Sequence, residues 1–136
     1  VSYWLIKTEP SSWSWQDQKR QKTTAWDGVR NYQASNNLKA MSIGDLCFFY
    51  HSVSDKKIMG IVEVTKLYSP DPSDETGRFG MVDVTYKEPF LNPISLETIK
   101  HHPMLQHLAL VRQSRLSVMP IDSDSWDIIL NLSQRD

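Results

Sequence analysis

Trp26-Asp27-Gly28-Val29-Arg30-Asn31-Tyr32 places an indole, a carboxylate, a guanidinium, an amide and a phenol within seven residues. A segment that only built a core would not combine those groups. An aromatic face to stack on, side chains that donate and accept hydrogen bonds, and a cation for a phosphate make up the chemistry of a nucleobase pocket. The same stretch sets the local fold. Asp27-Gly28 has the character of a turn, and Asn31 is a predicted N-cap for a helix to about Met41, because Ala34, Leu38 and Met41 fall on one helical face. The first turn of that helix follows Arg30, with free backbone N–H groups that favour an anion. Asp17 to Ala40 holds five cations (Lys19, Arg20, Lys22, Arg30, Lys39) against two anions (Asp17, Asp27), so the pocket chemistry sits in a basic neighbourhood.

On the N-terminal side, Ser2 to Thr8 alternates and is rich in β-branched and aromatic residues, which predicts a strand that Pro10 ends. Ser11 or Ser12 is a predicted cap for a short helix through Lys19. On the C-terminal side, Ser42-Ile43-Gly44-Asp45 predicts a turn, Leu46 to His51 a buried strand, and Ile58 to Leu67 and Phe79 to Tyr86 two more. The loop around Ser69 to Gly77 carries the acidic group Asp71, Asp74 and Glu75, expected to be a solvated face. Ser95 caps a predicted helix to about His101, Leu108 to Val111 is too short to assign, Arg115 to Met119 alternates as a strand would, and Ser123 or Asp124 caps a last helix through Leu132. Four to six strands with short helices and no βαβ rhythm give a small α+β barrel. With 136 residues and no linker or repeat, residues 1–136 are expected to form one domain.

Composition narrows the function classes. No apolar run reaches the roughly 18 residues of a membrane span. A net charge of −1 argues against coating nucleic acid by bulk electrostatics, so any such binding would use a local patch and a specific pocket. The lone Cys47, in the apolar run Leu46-Cys47-Phe48-Phe49, suits a reducing cytoplasm or nucleus and behaves as a small hydrophobe rather than a nucleophile. His51, His101, His102 and His107 have no metal-ligand spacing, so no metal and no cofactor is expected. The sequence holds no nucleophile elbow, Walker loop or dinucleotide fingerprint, and Asp27 or Glu9 alone is a weak general base. Trp4, Trp13, Trp15 and Trp26 all fall in the first 26 residues; most serve packing, and Trp26, beside Asp27-Gly28 and Arg30-Asn31, is the one set among polar partners. Tyr50-His51-Ser52 and Gln113-Ser114-Arg115-Leu116-Ser117 supply further polar groups at strand ends.

Six segments in order resemble the EVE domain, a PUA-like family related in fold to the YTH readers of methylated adenine. They are Tyr3 to Pro10 (YWLIKTEP), Trp26 to Ala34 with Asn36-Asn37-Leu38, Gly44-Asp45, Phe49 to Ser52, Gly60 to Val64, and Arg115 to Val118 with Pro120. The pattern covers nearly the whole chain and is similar to that of bacterial members. Ser35 stands where the family commonly has Arg, and the Gly-x-Lys-x-x-Glu-x-Arg signature of the related ASCH domains is absent. The resemblance implies a PUA-like twisted β-barrel of about five to six strands with short flanking helices. It also implies a ligand that is a modified cytosine or adenine, in DNA rather than RNA. The resulting expectation is a non-catalytic, cytoplasmic reader, associated with the nucleoid, that flips one base into a pocket. Trp26 and Trp13 would wall the base, Asp27 and Asn31 read its edge, and Val29, Tyr32, Tyr50, His51, Ser52 and Ser117 line the rest. Lys7, Arg30, Lys39 and Arg115 would approach the nucleic-acid backbone. The alternatives are an RNA-binding module, an enzyme on a modified nucleoside with Asp27 or His51 as acid–base group, and a protein adaptor.

Overall fold

The computed structural model describes residues 1–134; the last two residues of the expected domain lie outside them. In chain order the elements are β1 (Tyr3–Thr8), α1 (Trp15–Gln21), β2 (Thr23–Trp26), α2 (Tyr32–Ala40), β3 (Leu46–His51), β4 (Lys57–Pro70), β5 (Gly80–Ser95), α3 (Leu96–His101), α4 (Ala109–Arg112), β6 (Val118–Ile121) and α5 (Ser123–Ser133). The six strands form one sheet in the order β2-β5-β4-β3-β1-β6. Only β1 and β3 run parallel; every other pairing is antiparallel. The α+β expectation holds, with the strand number at its upper bound. The sheet is twisted and does not close into a barrel, because among the described residues no ladder joins its edges β2 and β6. Four register shifts along the β4–β5 ladder supply bends and extra twist.

β3 explains why the core sits where it does. Its six residues are nearly all buried, as a strand covered on both faces must be. Phe48 stacks on Trp126 of α5 at 3.8 Å and meets Phe90 edge-on. Its neighbour Phe49 points the other way and meets Trp15 of α1 at 4.9 Å and Trp26 of β2 at 5.6 Å. The turn before β3 is locked by Asp45, whose buried carboxylate accepts from the Ser2 and Ser42 N–H groups and the Trp4 indole. Burial alone would raise its pKa, but those hydrogen bonds hold it below the ordinary value.

Several element boundaries differ from expectation for local reasons. The cap of α1 is Ser14, in a reciprocal capping box with Asp17, because Ser12 and Trp13 are drawn into a turn on the Glu9 carbonyl. Asp122 rather than Ser123 or Asp124 caps α5. β2 went unpredicted; its four residues are mostly exposed and carry no alternating pattern. Leu108 to Val111 becomes a four-residue helix shifted by one residue. Arg115 to Ser117 is a turn closed by the Leu116 N–H on the Gln113 carbonyl, and strand β6 starts only at Val118. The helices capped by Asn31 and Ser95 form as predicted.

Gly60 on β4 is a point of close approach. A Cβ there would overlap the Trp15 indole and lie 2.6 Å from the Glu88 carbonyl oxygen of β5. Since the carbonyl is held in the sheet, Gly60→Ala is expected to cost about 1–3 kcal/mol. It should lower the urea midpoint without changing the slope of the transition.

Candidate nucleobase cavity

A cavity of about 420 Å³ opens where the end of β1, the turn before α1, β2 and the loop before β6 meet. Its lining includes Lys7, Thr8, Trp13, the whole run Thr24 to Asn31, and Ser117. The structure therefore brings together Trp13, Trp26, Asp27, Val29, Arg30, Asn31, Lys7 and Ser117 of the sequence-derived candidates. Tyr50, Ser52 and Arg115 line a second cavity of about 640 Å³, which shares Lys7 and Ser117 with the first.

The two tryptophans of the first cavity do different things. Trp26 is only 7 % exposed and packs edge-on against Phe49, so most of its ring belongs to the core. Trp13 is half-buried and holds its ring by an Nε1–H bond to Gln18 Oε1 at 2.9 Å. Gln18 is fully buried, and its amide donates to the Lys22 and Val84 carbonyls. This anchor was missed in the sequence, where a glutamine in a short polar helix carries no signal. Trp13 is thus the better-presented stacking surface, and Trp26 the floor.

Residues 27–31 have no regular secondary structure, and one carboxylate holds them. Asp71, whose side chain is fully buried, accepts from the Gly28 N–H at 2.8 Å, from Arg30 Nη1 at 3.0 Å and from the N–H and hydroxyl of Ser73. Burial alone would raise its pKa; the bonds from Ser73, Gly28 and Arg30 outweigh that and hold it far below the carboxylate range. The expectation of a solvated acidic loop fails at Asp71 for this reason. Gly28 reaches the bond with φ of 75°, a conformation that disfavours other residues. The guanidinium of Arg30, expected to meet a phosphate, is instead committed to Asp71, Ser73 and the Val29 carbonyl.

Asn31 caps α2 with its Oδ1, which accepts from the Ala34 N–H at 2.9 Å. That bond orients the amide so that Nδ2 is left as a donor, and capping does not compete with ligand contact. Asp27 is exposed, an acceptor that lines the same cavity as that donor.

Three other candidates fall elsewhere. Strand alternation turns His51 away from Tyr50 and Ser52. Its buried ring accepts the Trp15 N–H at Nε2, which makes Nδ1 the protonated nitrogen, donating to Asp55. Tyr32 is 60 % exposed and lies on Phe79, outside both cavities. Lys39 also lies outside them, its Nζ over the Tyr68 ring.

Cys47 and the side chains at the start of α5 are engaged structurally. Burial drives the Cys47 thiol well above its ordinary pKa, so it stays protonated. Ser125, His107 and Asp122 gather at the start of α5, but both contacts fall on the same histidine nitrogen, Nε2. A nucleophile relay uses the two ring nitrogens in series, so this group is a helix-start network. Among the described residues, no three His, Cys, Asp or Glu side chains converge as a metal site.

An open, twisted α+β sheet with short helices around it and an aromatic and polar cavity at the ends of β1 and β2 defines a PUA-like domain. The chain matches the family model described as EVE domain over residues 2–132, and it belongs to that family. Human thymocyte nuclear protein 1 is 31 % identical over 169 residues, spanning 99 % of this chain and 75 % of that protein. A crystal structure from Agrobacterium tumefaciens superposes with a TM-score of 0.95 at 40 % identity, covering 98 % of this chain and 94 % of that one. The human THYN1 protein, solved in complex with 5-methylcytosine-containing DNA, gives a TM-score of 0.92 at 32 % identity and covers 100 % and 99 % of the two chains.

The Asp71 clamp has a definite pH signature. Its folded pKa is depressed, so its stabilisation is complete above the ordinary carboxylate value of about 4 and is lost as pH falls below it. Asp71→Asn is expected to destabilise the domain by about 1–3 kcal/mol at neutral pH. The mutant should also show a shallower acid limb in denaturant melts across pH 2 to 7. Some acid sensitivity will remain, because Asp74 and Asp122 are also depressed, each to about 2.

Proposed function

We propose that this protein is a non-catalytic reader of nucleic acid that takes one flipped, modified base, a cytosine or adenine in DNA, into the cavity lined by Trp13, Trp26, Asp27 and Asn31. One observation carries the reading: a presentable indole, an available carboxylate acceptor and an amide donor line the same 420 Å³ space. That volume falls in the range of about 300–1,000 Å³ usual for small-molecule sites. A carboxylate beside an amide donor suits the edge of cytosine or adenine, where an exocyclic amino group neighbours a ring acceptor. The relative solved with 5-methylcytosine-containing DNA supports DNA and a modified cytosine as the first ligand to try. Extruding a base costs a few kcal/mol, which stacking on Trp13 and the edge contacts must offset. A reader of this kind would act beside the genome, in a cytoplasmic, nucleoid-associated setting.

The direct test is titration of short duplexes carrying a single 5-methylcytosine, N6-methyladenine or plain base, followed by tryptophan fluorescence. A modified duplex should bind more tightly than its plain parent and than the matched RNA; equal affinity for all three would refute the reading. Trp13→Ala should remove roughly 1–3 kcal/mol of stacking, a 5- to 150-fold loss of affinity, and lower the melting temperature less than Trp26→Ala does. Trp26→Ala should instead destabilise the fold by about 3–5 kcal/mol, because most of that ring is core. Incubation with modified nucleosides should yield no new product by mass spectrometry.

A further inference from the structure

We propose that the 640 Å³ cavity is a second nucleotide site, which holds the neighbour of the flipped nucleotide on the same strand. The inference rests on the reading of the first cavity as the base pocket. Four features of the second cavity support it.

The two spaces are adjacent: Lys7 and Ser117 line both, so a strand leaving one can reach the other past a shared cation. The charge is one-sided. Lys7, Lys56, Lys100 and Arg115 line the space against a single carboxylate, Glu9, in a chain whose net charge is −1. Lys56, Lys100 and Arg115 are exposed and form no ion pair among the described residues. The occupant is therefore anionic at the rim. Leu96 and Leu110 make part of the wall apolar, as a flat ring requires.

Tyr50 supplies the fourth feature. It is 3 % exposed, yet its hydroxyl has no hydrogen-bond partner among the described residues. Since no fully buried side-chain polar atom among those residues lacks a partner, the remaining exposure of Tyr50 includes its hydroxyl, and that hydroxyl meets the cavity. A hydroxyl that opens onto a cavity can donate to a ligand acceptor in place of water. Burial pushes the phenol up to about 12, so it remains a donor at neutral pH. The loop between β3 and β4 adds strain on the same rim, with Val53 at φ 69° and Lys56 at φ 50°. An inward acceptor, a flat apolar body and an outer anion together describe a nucleotide: base edge, ring and phosphate. Lys7, whose Nζ donates to the Ser114 carbonyl, stands where the phosphate linking two such units would pass.

The test is methyl and amide NMR on the full chain with three probes: 5-methyl-2′-deoxycytidine, its 3′-linked dinucleotide with thymidine, and thymidine 5′-monophosphate. The nucleoside should perturb Ala25 and Gly28 alone. The dinucleotide should perturb these and also Val53, Leu96 and Leu110, and bind more tightly than thymidine monophosphate. Tyr50→Phe, which keeps the ring, should weaken the dinucleotide about fivefold, near one neutral hydrogen bond, and leave nucleoside binding unchanged. Lys100→Gln should weaken the dinucleotide more at low salt than at high. Perturbation confined to Ala25 and Gly28 with the dinucleotide would overturn the second site and leave the base pocket standing. Perturbation confined to Val53, Leu96 and Leu110 would overturn the base pocket instead. Inorganic phosphate reproducing the second set of shifts, insensitive to Tyr50→Phe, would reduce the cavity to an anion site and overturn the proposal. Thymidine monophosphate binding as tightly as the dinucleotide would overturn the same-strand assignment.

Discussion

A single buried carboxylate, Asp71, holds the irregular wall on which the cavity depends. Residues 27–31 join a four-residue strand to a helix and have no ladder of their own to fix them. Asp71 supplies the missing constraint from the loop between β4 and β5, more than forty residues away, through the Gly28 N–H and the Arg30 guanidinium. The arrangement is self-consistent only if every lone pair of that carboxylate is used, since an ionised group in a dry site is costly when partly satisfied. Ser73 takes the remaining oxygen. Gly28 makes its bond to Asp71 with its backbone at φ 75°, a conformation that glycine adopts without strain. The basic character of Arg30 is thereby spent on architecture.

The aromatic groups show a similar separation of duties. Phe49 gathers Trp15 and Trp26 on one face of β3, while Phe48 gathers Trp126 and Phe90 on the other. These rings stabilise by area and close packing, so none of them is free to reorient around a ligand. Trp13 stands outside that cluster. Its indole packs only partly against the core and is fixed by a hydrogen bond, which keeps one aromatic surface both rigid and accessible. A stacking platform needs that combination, since ordering a mobile ring on binding would consume part of the gain.

How much of this was legible in the sequence depends on the range of the interaction. The caps at Asn31 and Ser95 were readable because a cap is decided within four residues. Strand β3 was readable because six apolar or aromatic residues in a row leave few alternatives. The cavity lining from Trp26 to Asn31 was readable as chemistry, and Lys7 and Ser117 through the family resemblance. Asp71 and Gln18 were not readable, because each acts through partners set by tertiary structure. The separation of Tyr50 and Ser52 from His51 follows from a period of two along a strand, which residue order alone dictates. Arg115 to Ser117 misled because three alternating residues in a turn look like three in a strand.

The position of Lys7 bears on how a chain of net charge −1 would hold a polyanion at all. Surface lysines act through water and salt, and their individual contributions are small. Lys7 is half-buried on the ridge between the two cavities, and burial lowers its pKa, which reports that its ammonium is already partly stripped of water. It is held there by the Ser114 carbonyl and lies over the Tyr50 ring at 5.7 Å. In such a setting the local dielectric is lower, and a unit charge at a given distance interacts several times more strongly than at the surface. The desolvation is met on folding rather than on binding. One preorganised cation can therefore replace several mobile ones, and under the proposed reading attraction would be confined to a strand that spans both cavities rather than offered to any phosphate backbone.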